Sequence, residues 1–387
     1  MLQKEKKTNT LQKTLIDFFK KETVLSIAGI LALVSALAVF PDKEYIGYID
    51  FRTLGILFSL MVVMAGYQKL SVFHFLASSI LRHTRNLRQV FLVLVLLCFF
   101  FSMIITNDVA LITFVPLTLN VLHMEGEEVK KKWLIPLVAF QTVAANLGSM
   151  LTPIGNPQNL YLYGISGLTV VEFLGLMAPY TLISFVLLCI WCVVAGDSKK
   201  TDKSHMAPES LKVGKEIVVY SLLFAGCLLV VGHVIPFWIM VIIVLVTVLF
   251  MDRKVLKNVD YSLLLTFVFF FVFIGNLGRI PAFRDMIMNA LEGHEMLIAV
   301  LASQVISNVP AALLLSGFTD QYGQLILGTD IGGLGTLIAS MASLISFKYI
   351  AKDNRDNRGR YLGYFTVVNI LFLMVLLPAY YLLTRYL

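Results

Sequence analysis

The stretch FFFSMIITNDVALITFVPLTL, residues 99–119, carries one acidic side chain in the middle of a long apolar run. Nineteen uncharged residues precede Asp108 and sixteen follow it. A carboxylate at the centre of a membrane is costly, so such a residue is by default a candidate functional site. Asp108 is expected to bind Na⁺ or carry a proton, or else to cap the following helix, as Asp does at an N-cap.

The composition of the whole chain indicates a polytopic membrane protein. Of its 387 residues, 58% are hydrophobic and only 14% are charged. A soluble domain could not cover that much apolar surface, and several runs approach the ~20 residues that a helix needs to cross a bilayer. The crossings should be helices, because lipid offers backbone groups no hydrogen-bond partners. The net charge of +7 does not indicate nucleic acid, since the basic residues lie in short loops.

Three pairs of similar motifs occur in the same order in the two halves of the chain. Ile49-Asp50-Phe51 recurs as Val259-Asp260-Tyr261, Ile105-Thr106-Asn107 recurs as Ile306-Ser307-Asn308, and the glycine-rich stretch 148–155 recurs as 332–339. The offsets are 210, 201 and 184 residues, so the connecting segments differ in length. We interpret the chain as two copies of one helical unit. The predicted divisions are a cytoplasmic N-terminal segment 1–23, a first repeat 24–196, a cytoplasmic linker 197–216 and a second repeat 217–387.

The distribution of positive charge indicates whether segments 90–122 and 296–320 cross the membrane or form re-entrant hairpins. If both are hairpins, 26 of the 31 Lys and Arg residues lie in cytoplasmic regions; if both cross fully, 14 of them lie outside. The positive-inside rule therefore favours hairpins, one entering from the cytoplasm and one from outside. We predict an all-α fold of two inverted repeats, with about nine transmembrane helices, two re-entrant hairpins and two unwound helices. The N-terminus is expected in the cytoplasm.

The predicted breaks in the helices provide polar side chains and free backbone groups. The predicted hairpin tips are Thr106-Asn107-Asp108 and Ser307-Asn308, and stretches 148–157 and 332–335 are rich in Gly and Pro. Gly and Pro interrupt helices, which frees backbone carbonyls and amides. Carbonyl oxygens and an Asn side chain suit Na⁺, and helix N-termini after the breaks attract an anion. Paired breaks of this kind are typical of secondary transporters.

Other polar motifs do not indicate catalysis. The sequence has no Ser-His-Asp order, Walker loop or phosphate-binding glycine motif, so we expect no enzyme and no cofactor other than Na⁺. Cys189 and Cys192 lie in an uninterrupted apolar helix and are interpreted as small apolar residues. Glu172, His233 and Asp330 lie near predicted span ends, where contact with solvent is expected to satisfy them.

At its tips and loops the sequence resembles the ion transporter superfamily of divalent-anion:sodium symporters, citrate transporters and arsenite permeases. The resemblance covers about 24–387 and implies a homodimer in which a transport domain moves against a scaffold. It also implies that substrate lies between the tips, and that each Asn forms a Na⁺ site with its unwound loop, Asn107 with Gly148 and Asn308 with Gly332. The expected substrate-binding residues are Thr106, Asn107, Thr152, Pro153, Ser307, Asn308 and Thr336. The expected coupling-ion residues are Asn107, Asp108, Gly148, Ser149, Asn308, Gly332 and Gly333.

The tips depart from the pattern of the dicarboxylate transporters, which looks like Ser-Asn-Thr at both hairpin tips. Asp108 and Val309 stand where that pattern has a hydroxyl. The Asn-Asp pair looks more like the proton-coupled arsenite permeases, whereas TPIGNPQN, residues 152–159, looks closer to the citrate transporters. The expected function is therefore a Na⁺- or H⁺-coupled transporter of a small anion in the cytoplasmic membrane. The alternatives are a metalloid-hydroxide/H⁺ or Na⁺/H⁺ antiporter and, from another class, a channel or a non-transporting membrane subunit.

Overall fold

A computed structural model describes residues 22–195 and 214–384. This part of the chain is helical throughout and contains no strand. The predicted N-terminal segment 1–23 and linker 197–216 lie almost wholly outside the described residues. In the first half the helices are α1 Thr23–Ala38, α2 Glu44–Tyr48, α3 Phe51–Lys69, α4 Val72–Leu81, α5 Leu87–Ile105, α6 Asn107–Met124, α7 Glu127–Ser149, α8 Pro157–Ser166 and α9 Val170–Ala195.

The second half repeats this order after one additional helix. A 3₁₀ helix, Arg253–Asn258, occupies the place that α2 has in the first half. The α-helices are α10 Lys215–Val231, α11 Phe237–Met251, α12 Tyr261–Gly278, α13 Pro281–Leu291, α14 Glu295–Ile306, α15 Asn308–Ser316, α16 Tyr322–Gly332, α17 Met341–Asp353 and α18 Asn357–Leu383.

Six of the described helices are long and apolar enough to cross a membrane: α3, α5, α6, α9, α12 and α18. Shorter apolar helices, among them α1, α11 and α14, accompany them. Many large apolar side chains on these helices are exposed, as expected for a surface that faces lipid rather than water. The predicted all-helical, polytopic membrane fold is confirmed.

The first hairpin is visible in a contact between its two arms. The rings of Phe101 on α5 and Phe114 on α6 lie 5.2 Å apart between centroids. In one continuous helix, residues thirteen positions apart would be separated by about 20 Å. Helix α4 also contacts both arms. The chain therefore turns back on itself at Thr106, and the hairpin extends slightly beyond the predicted 90–122.

The second hairpin turns back in the same way. Leu291 and Glu295, where its first arm begins, and Ser316 and Phe318, where its second arm ends, line one cavity of about 740 Å³. The two outer ends of the hairpin are thus neighbours, which a single crossing would not allow. Its helices span Glu295–Ser316, close to the predicted 296–320.

The two halves interlock through equivalent contacts. Helix α1 packs on α12, and α11 packs on α3. The ends of these pairs are joined by ion pairs: Arg279 with Asp42 at 2.7 Å, and Lys69 with Asp252. Each partner is displaced by 210 residues from its counterpart, the offset found between the Asp50 and Asp260 motifs. These cation partners hold the pKa values of Asp42 and Asp252 below their usual range.

The Asp50 and Asp260 motifs themselves adopt the same local structure. Each carboxylate caps the helix that follows by accepting a hydrogen bond from a backbone amide, Thr53 N at 3.1 Å and Leu263 N at 2.9 Å. An N-cap of this kind satisfies an amide that has no partner within the helix. The sequence repeat therefore corresponds to a structural repeat.

The hairpin topology predicts opposite faces for two exposed basic residues. We expect a cysteine at Lys131 to react with a membrane-impermeant maleimide only from the cytoplasm, and one at Arg284 only from outside. The physical reason is that hairpins leave 130–132 on the positive, cytoplasmic face. The measurement is labelling of intact and permeabilised cells, in a background in which the four native cysteines are replaced by Ala. Full crossings would reverse both results.

Candidate functional site

Each hairpin turns at a single residue with an unusual backbone conformation. Thr106 has φ 72° and ψ 152°, and Ser307 has φ 74° and ψ 153°. Residues other than glycine rarely adopt this region, and the cost is of order 1–3 kcal/mol per residue. Such strain persists only where the surrounding structure imposes it, and it concentrates at functional sites. The two predicted tips therefore have the same backbone conformation.

The Asn residue after each turn joins the tip to the unwound loop of its own half. Asn107 N donates to the Gly155 carbonyl at 3.1 Å, and Asn308 N donates to the Ala339 carbonyl at 2.9 Å. Gly155 and Ala339 are equivalent at the offset of 184 residues. Both Asn side-chain oxygens accept the next backbone amide, at 2.9 Å and 3.0 Å. The predicted association of tips with unwound loops is present in both halves.

The unwound loops follow α7 and α16 and need glycine for close packing. A Cβ at Gly148 would lie 2.0 Å from the Phe99 carbonyl oxygen of the neighbouring hairpin arm. Gly335 has φ 108°, which favours glycine, and a Cβ there would meet the Gln304 side chain. The loops can therefore lie directly against the hairpins only because these positions lack side chains.

Two predicted substrate ligands donate hydrogen bonds to the hairpin arms. Thr152 Oγ1 donates to the Met103 carbonyl, and Thr336 Oγ1 donates to the Gln304 carbonyl at 3.1 Å. Met103 and Gln304 are equivalent at the offset of 201 residues. The two hydroxyls thus fasten each loop to its hairpin. Pro153 is buried within its loop.

Asn146, on α7, joins the two halves. Its Oδ1 accepts hydrogen bonds from Asn107 Nδ2 and from Ser340 Oγ, both at 3.1 Å. Its Nδ2 donates to the Gly333 carbonyl at 3.4 Å. One buried amide therefore contacts the first tip and the second unwound loop. The Asn308 side chain lies close to the same Gly333, where an added Cβ would be 2.9 Å from Asn308 Nδ2.

Asp330, in the second half, makes the equivalent contact with the first half. The prediction that solvent satisfies its carboxylate is wrong. This residue is 2% exposed. Its Oδ1 accepts from Asn156 Nδ2 at 2.8 Å and from Gln158 Nε2 at 3.3 Å, both from the first half. Asn156 Nδ2 also donates to Ser149 Oγ at 3.2 Å. Since α16 continues only to Gly332, the end of this helix lies inside the protein rather than at a membrane surface. Glu172, by contrast, is exposed, as expected.

Carbonyls of the second unwound loop accept hydrogen bonds from Gln304, a side chain of the hairpin arm α14. Gln304 Nε2 donates to the carbonyls of Gly332 and Leu334, at 2.8 Å each. Its Oε1 accepts from Thr336 N at 2.9 Å. The equivalent residue in the first half, Met103, has no amide. In the first half Asn159 Nδ2 donates to the carbonyls of Met150 at 3.3 Å and Thr152 at 3.5 Å. Side chains therefore engage loop carbonyls in both halves.

A cavity of about 150 Å³ lies beside the first tip. Asp108 lines it, and its buried Oδ1 has no hydrogen-bond partner among the described residues. A second carboxylate, Asp260, faces the same cavity from the start of α12. Within the described part of the chain the lining includes no Lys, Arg or His. The polar lining residues are Gln68, Thr106, Asp108, Asn156, Asn258 and Asp260.

The sequence analysis did not predict several residues of this network as site residues. Asn146 and Asp330 each stand two residues before the glycine that marks the unwound loop, Gly148 or Gly332. Extending the repeat alignment by two residues would have paired them. Gln304 carries no such signal, because its partner position is occupied by a Met.

Comparisons with known proteins indicate a membrane transporter. A family described as citrate transporter matches residues 14–324. An uncharacterized transporter, MJ0456, of Methanocaldococcus jannaschii is 35% identical over 93% of this chain and 97% of its own length. The inner membrane protein YbiR of Escherichia coli is 32% identical over 83% of this chain and 86% of its own length. The silicon efflux transporter LSI3 of Oryza sativa subsp. japonica is 26% identical over 50% of this chain and 39% of its own length.

The close approach at Gly148 predicts a specific defect. We expect Gly148→Ala to abolish transport and to lower the melting temperature of the purified protein, because the added methyl group meets a backbone oxygen that cannot rotate away. Overpacking of this kind typically costs about 1–3 kcal/mol. The control is Gly175→Ala on α9, where a Cβ has no neighbour within 4 Å. Equal melting temperatures for the two variants would contradict the prediction.

Proposed function

The chain belongs to the citrate transporter family, and on this premise we propose that it is a secondary active transporter of a small anion. The substrate class is a di- or tricarboxylate or an inorganic oxyanion, which moves across the cytoplasmic membrane with Na⁺ or H⁺. The proposal rests most directly on one observation: hydrogen bonds join each hairpin tip to the unwound loop of its own half, and buried polar side chains join the first tip and the two loops to each other. Backbone that is not helical at membrane depth is tolerated where it lines a binding site.

The coupling cation is proposed to bind at the first tip. Asp108 presents an unpartnered carboxylate oxygen there, beside Thr106 and the Asn156 side chain. A buried carboxylate without a donor is unfavourable, and a cation or proton would neutralise it. Asn107, Gly148 and Ser149 shape this site, since they fix the tip against the first loop.

The second half is proposed to contribute less to cation binding. Asn308, Gly332 and Gly333 are the residues that the family resemblance would assign to a second Na⁺ site. Gln304 already donates to the Gly332 carbonyl, so its amide hydrogens occupy an oxygen that the ion would need. We therefore infer one principal coupling site, at Asp108.

The charge of the cavity constrains how an anion could bind. Its described lining holds two carboxylates and no basic side chain. A free anion would be repelled until a cation neutralised Asp108. The N-termini of α6 and α8, which line the cavity, then supply amide dipoles that attract negative charge. This order of binding, cation first and anion second, would prevent either from crossing alone.

Transport would proceed by alternating access. The hairpins and unwound loops are connected by hydrogen bonds and would move as one unit, while the pairs α1–α12 and α3–α11 would form the scaffold. As the family resemblance suggests, we propose a homodimer in which the scaffolds meet.

One observation favours the alternative, an antiporter for a neutral metalloid hydroxide and protons. A cavity whose described lining has carboxylates but no basic side chain suits an uncharged substrate as well as a neutralised anion. A silicon efflux transporter is among the relatives of the chain. In this case Asp108 would carry the exchanged proton.

Asp108→Asn separates these functions in proteoliposomes. We expect at least tenfold slower citrate uptake driven by an imposed Na⁺ or pH gradient, because the amide cannot hold a cation or release a proton. The control is Asp285→Asn, which removes an exposed carboxylate on α13 and should leave uptake unchanged.

The antiporter is favoured instead if citrate is not taken up but arsenite or silicic acid leaves vesicles in exchange for protons. A flux that runs at full rate without any cation gradient would refute both functions and indicate a channel. Uptake by Asp108→Asn at the wild-type rate and with wild-type coupling would refute the role of Asp108.

A further inference from the structure

A second cavity, of about 410 Å³, lies where the ends of α7, α17 and α18 meet. It shares no lining residue with the cavity beside Asp108. Lys130 and Lys131 line it from the first turn of α7, Asp353 from the last turn of α17, and Arg360 from the first turn of α18. Three helices that are far apart in the sequence therefore bring basic side chains to one concave surface.

The two carboxylates that line this cavity already have partners. Asp353 Oδ1 forms an ion pair with Lys130 Nζ at 2.7 Å. Glu127 Oε1 contacts His123 Nδ1 at 2.9 Å, one turn earlier in the chain. Neither carboxylate is therefore free to neutralise the remaining basic side chains.

Two basic side chains of the cavity are left for a ligand. Among the residues that the structure describes, Lys131 and Arg360 have neither an ion-pair nor a hydrogen-bond partner. The side chains of Asn354 and Asn357 line the same cavity and add amide donors. Arg can donate two parallel hydrogen bonds to phosphate oxygens, and Lys binds phosphate as a point charge. This set of donors therefore suits a phosphate group.

The neighbouring side chains place the cavity at the level of lipid headgroups. The ring of Trp133 packs against Phe91 with 5.0 Å between centroids, and Lys132 Nζ lies 4.7 Å from the centroid of the same ring. Tryptophan is enriched where a membrane meets water. Helix α18 is long and apolar enough to cross the membrane, and its exposed Val367 lies about two turns beyond Arg360. Lipid chains and a headgroup could therefore contact the same helix.

We propose that this cavity binds the phosphate group of an anionic phospholipid in the cytoplasmic leaflet. The ion pair between Lys130 and Asp353 places segments 130–132 and 348–360 on one face, which the charge distribution predicts to be cytoplasmic. Together these segments hold eight Lys and Arg residues and two Asp residues. Basic pockets between transmembrane helices on the cytoplasmic side bind anionic headgroups. Topology alone requires basic loops, but it does not require a cavity that gathers unpaired basic side chains from two helices.

A lipid in this cavity would bridge helices that lead to both unwound loops. Helix α7 ends at the first unwound loop, and α17 begins after the second. A headgroup held between the opposite ends of these helices would link the two elements from the membrane surface. The inference does not depend on the substrate or the coupling ion of the proposed function, because lipid binding is measured without either.

Native mass spectrometry of the purified full-length protein tests the site. We expect phosphatidylglycerol to bind at least tenfold more tightly than phosphatidylcholine with the same acyl chains, because choline neutralises the phosphate. Lys131→Gln combined with Arg360→Gln should weaken phosphatidylglycerol binding at least tenfold, since each basic side chain near an anionic lipid contributes about a factor of five. The control is Arg253→Gln combined with Lys257→Gln. It removes the same two charges from the exposed 3₁₀ helix, outside the cavity, and should leave binding unchanged.

Three outcomes would overturn the proposal. One is equal binding of the two lipids by the wild-type protein, a result that does not depend on how the variants fold. The second is an equal loss of phosphatidylglycerol binding in the double variant and its control, which would indicate only the overall charge of this face. The third is binding of glycerol 3-phosphate as tight as that of phosphatidylglycerol, which would indicate a soluble phosphate compound. Failure of citrate uptake bears on the proposed function and leaves lipid binding unaffected.

Discussion

The structure depends on one constraint, that backbone polar groups within a membrane must find partners inside the protein. A helix satisfies its own groups, but a tip and an unwound loop do not. Here each supplies what the other lacks, since Asn107 N donates to the Gly155 carbonyl and Asn308 N donates to the Ala339 carbonyl. A hairpin without its loop, or a loop without its hairpin, would leave buried groups unpaired at a cost of ~1–3 kcal/mol each.

The same constraint explains why the broken elements of the two halves come together. The side chains that remain polar after the backbone is satisfied, Asn146 and Asp330, reach across to the loop of the opposite half. A movement of one loop must therefore break or carry along contacts with the other. The helices proposed as the scaffold are joined separately, by the reciprocal ion pairs at the ends of α3 and α12. The proposed alternating access would require the polar centre to move relative to these helices.

The two halves differ in the side chains at their tips and hairpin arms. The first half has Asp108 at its tip and Met103 on its arm, whereas the second half has Val309 at its tip and Gln304 on its arm, where the Gln304 amide donates to the loop. The second half also has a buried carboxylate, Asp330, at the position that Asn146 occupies in the first half. Two ancestral copies with the same backbone can in this way present different groups to an ion, because a substitution at a buried position changes the charge without changing the fold.

The membrane class, the repeat and both hairpins could be predicted from the sequence, because apolar length, charge bias and recurring motifs are local properties of the chain. The same motifs located Asn107 and Asn308, whose positions after each turn the structure reproduces. Which polar groups meet could not be predicted, because that depends on how distant segments pack. Asp330 seemed to lie at a span end because sequence shows distance along a helix and not depth within a protein. Likewise, Thr152 and Thr336 fasten loops to hairpins through partners 49 and 32 residues away, and packing sets such partners.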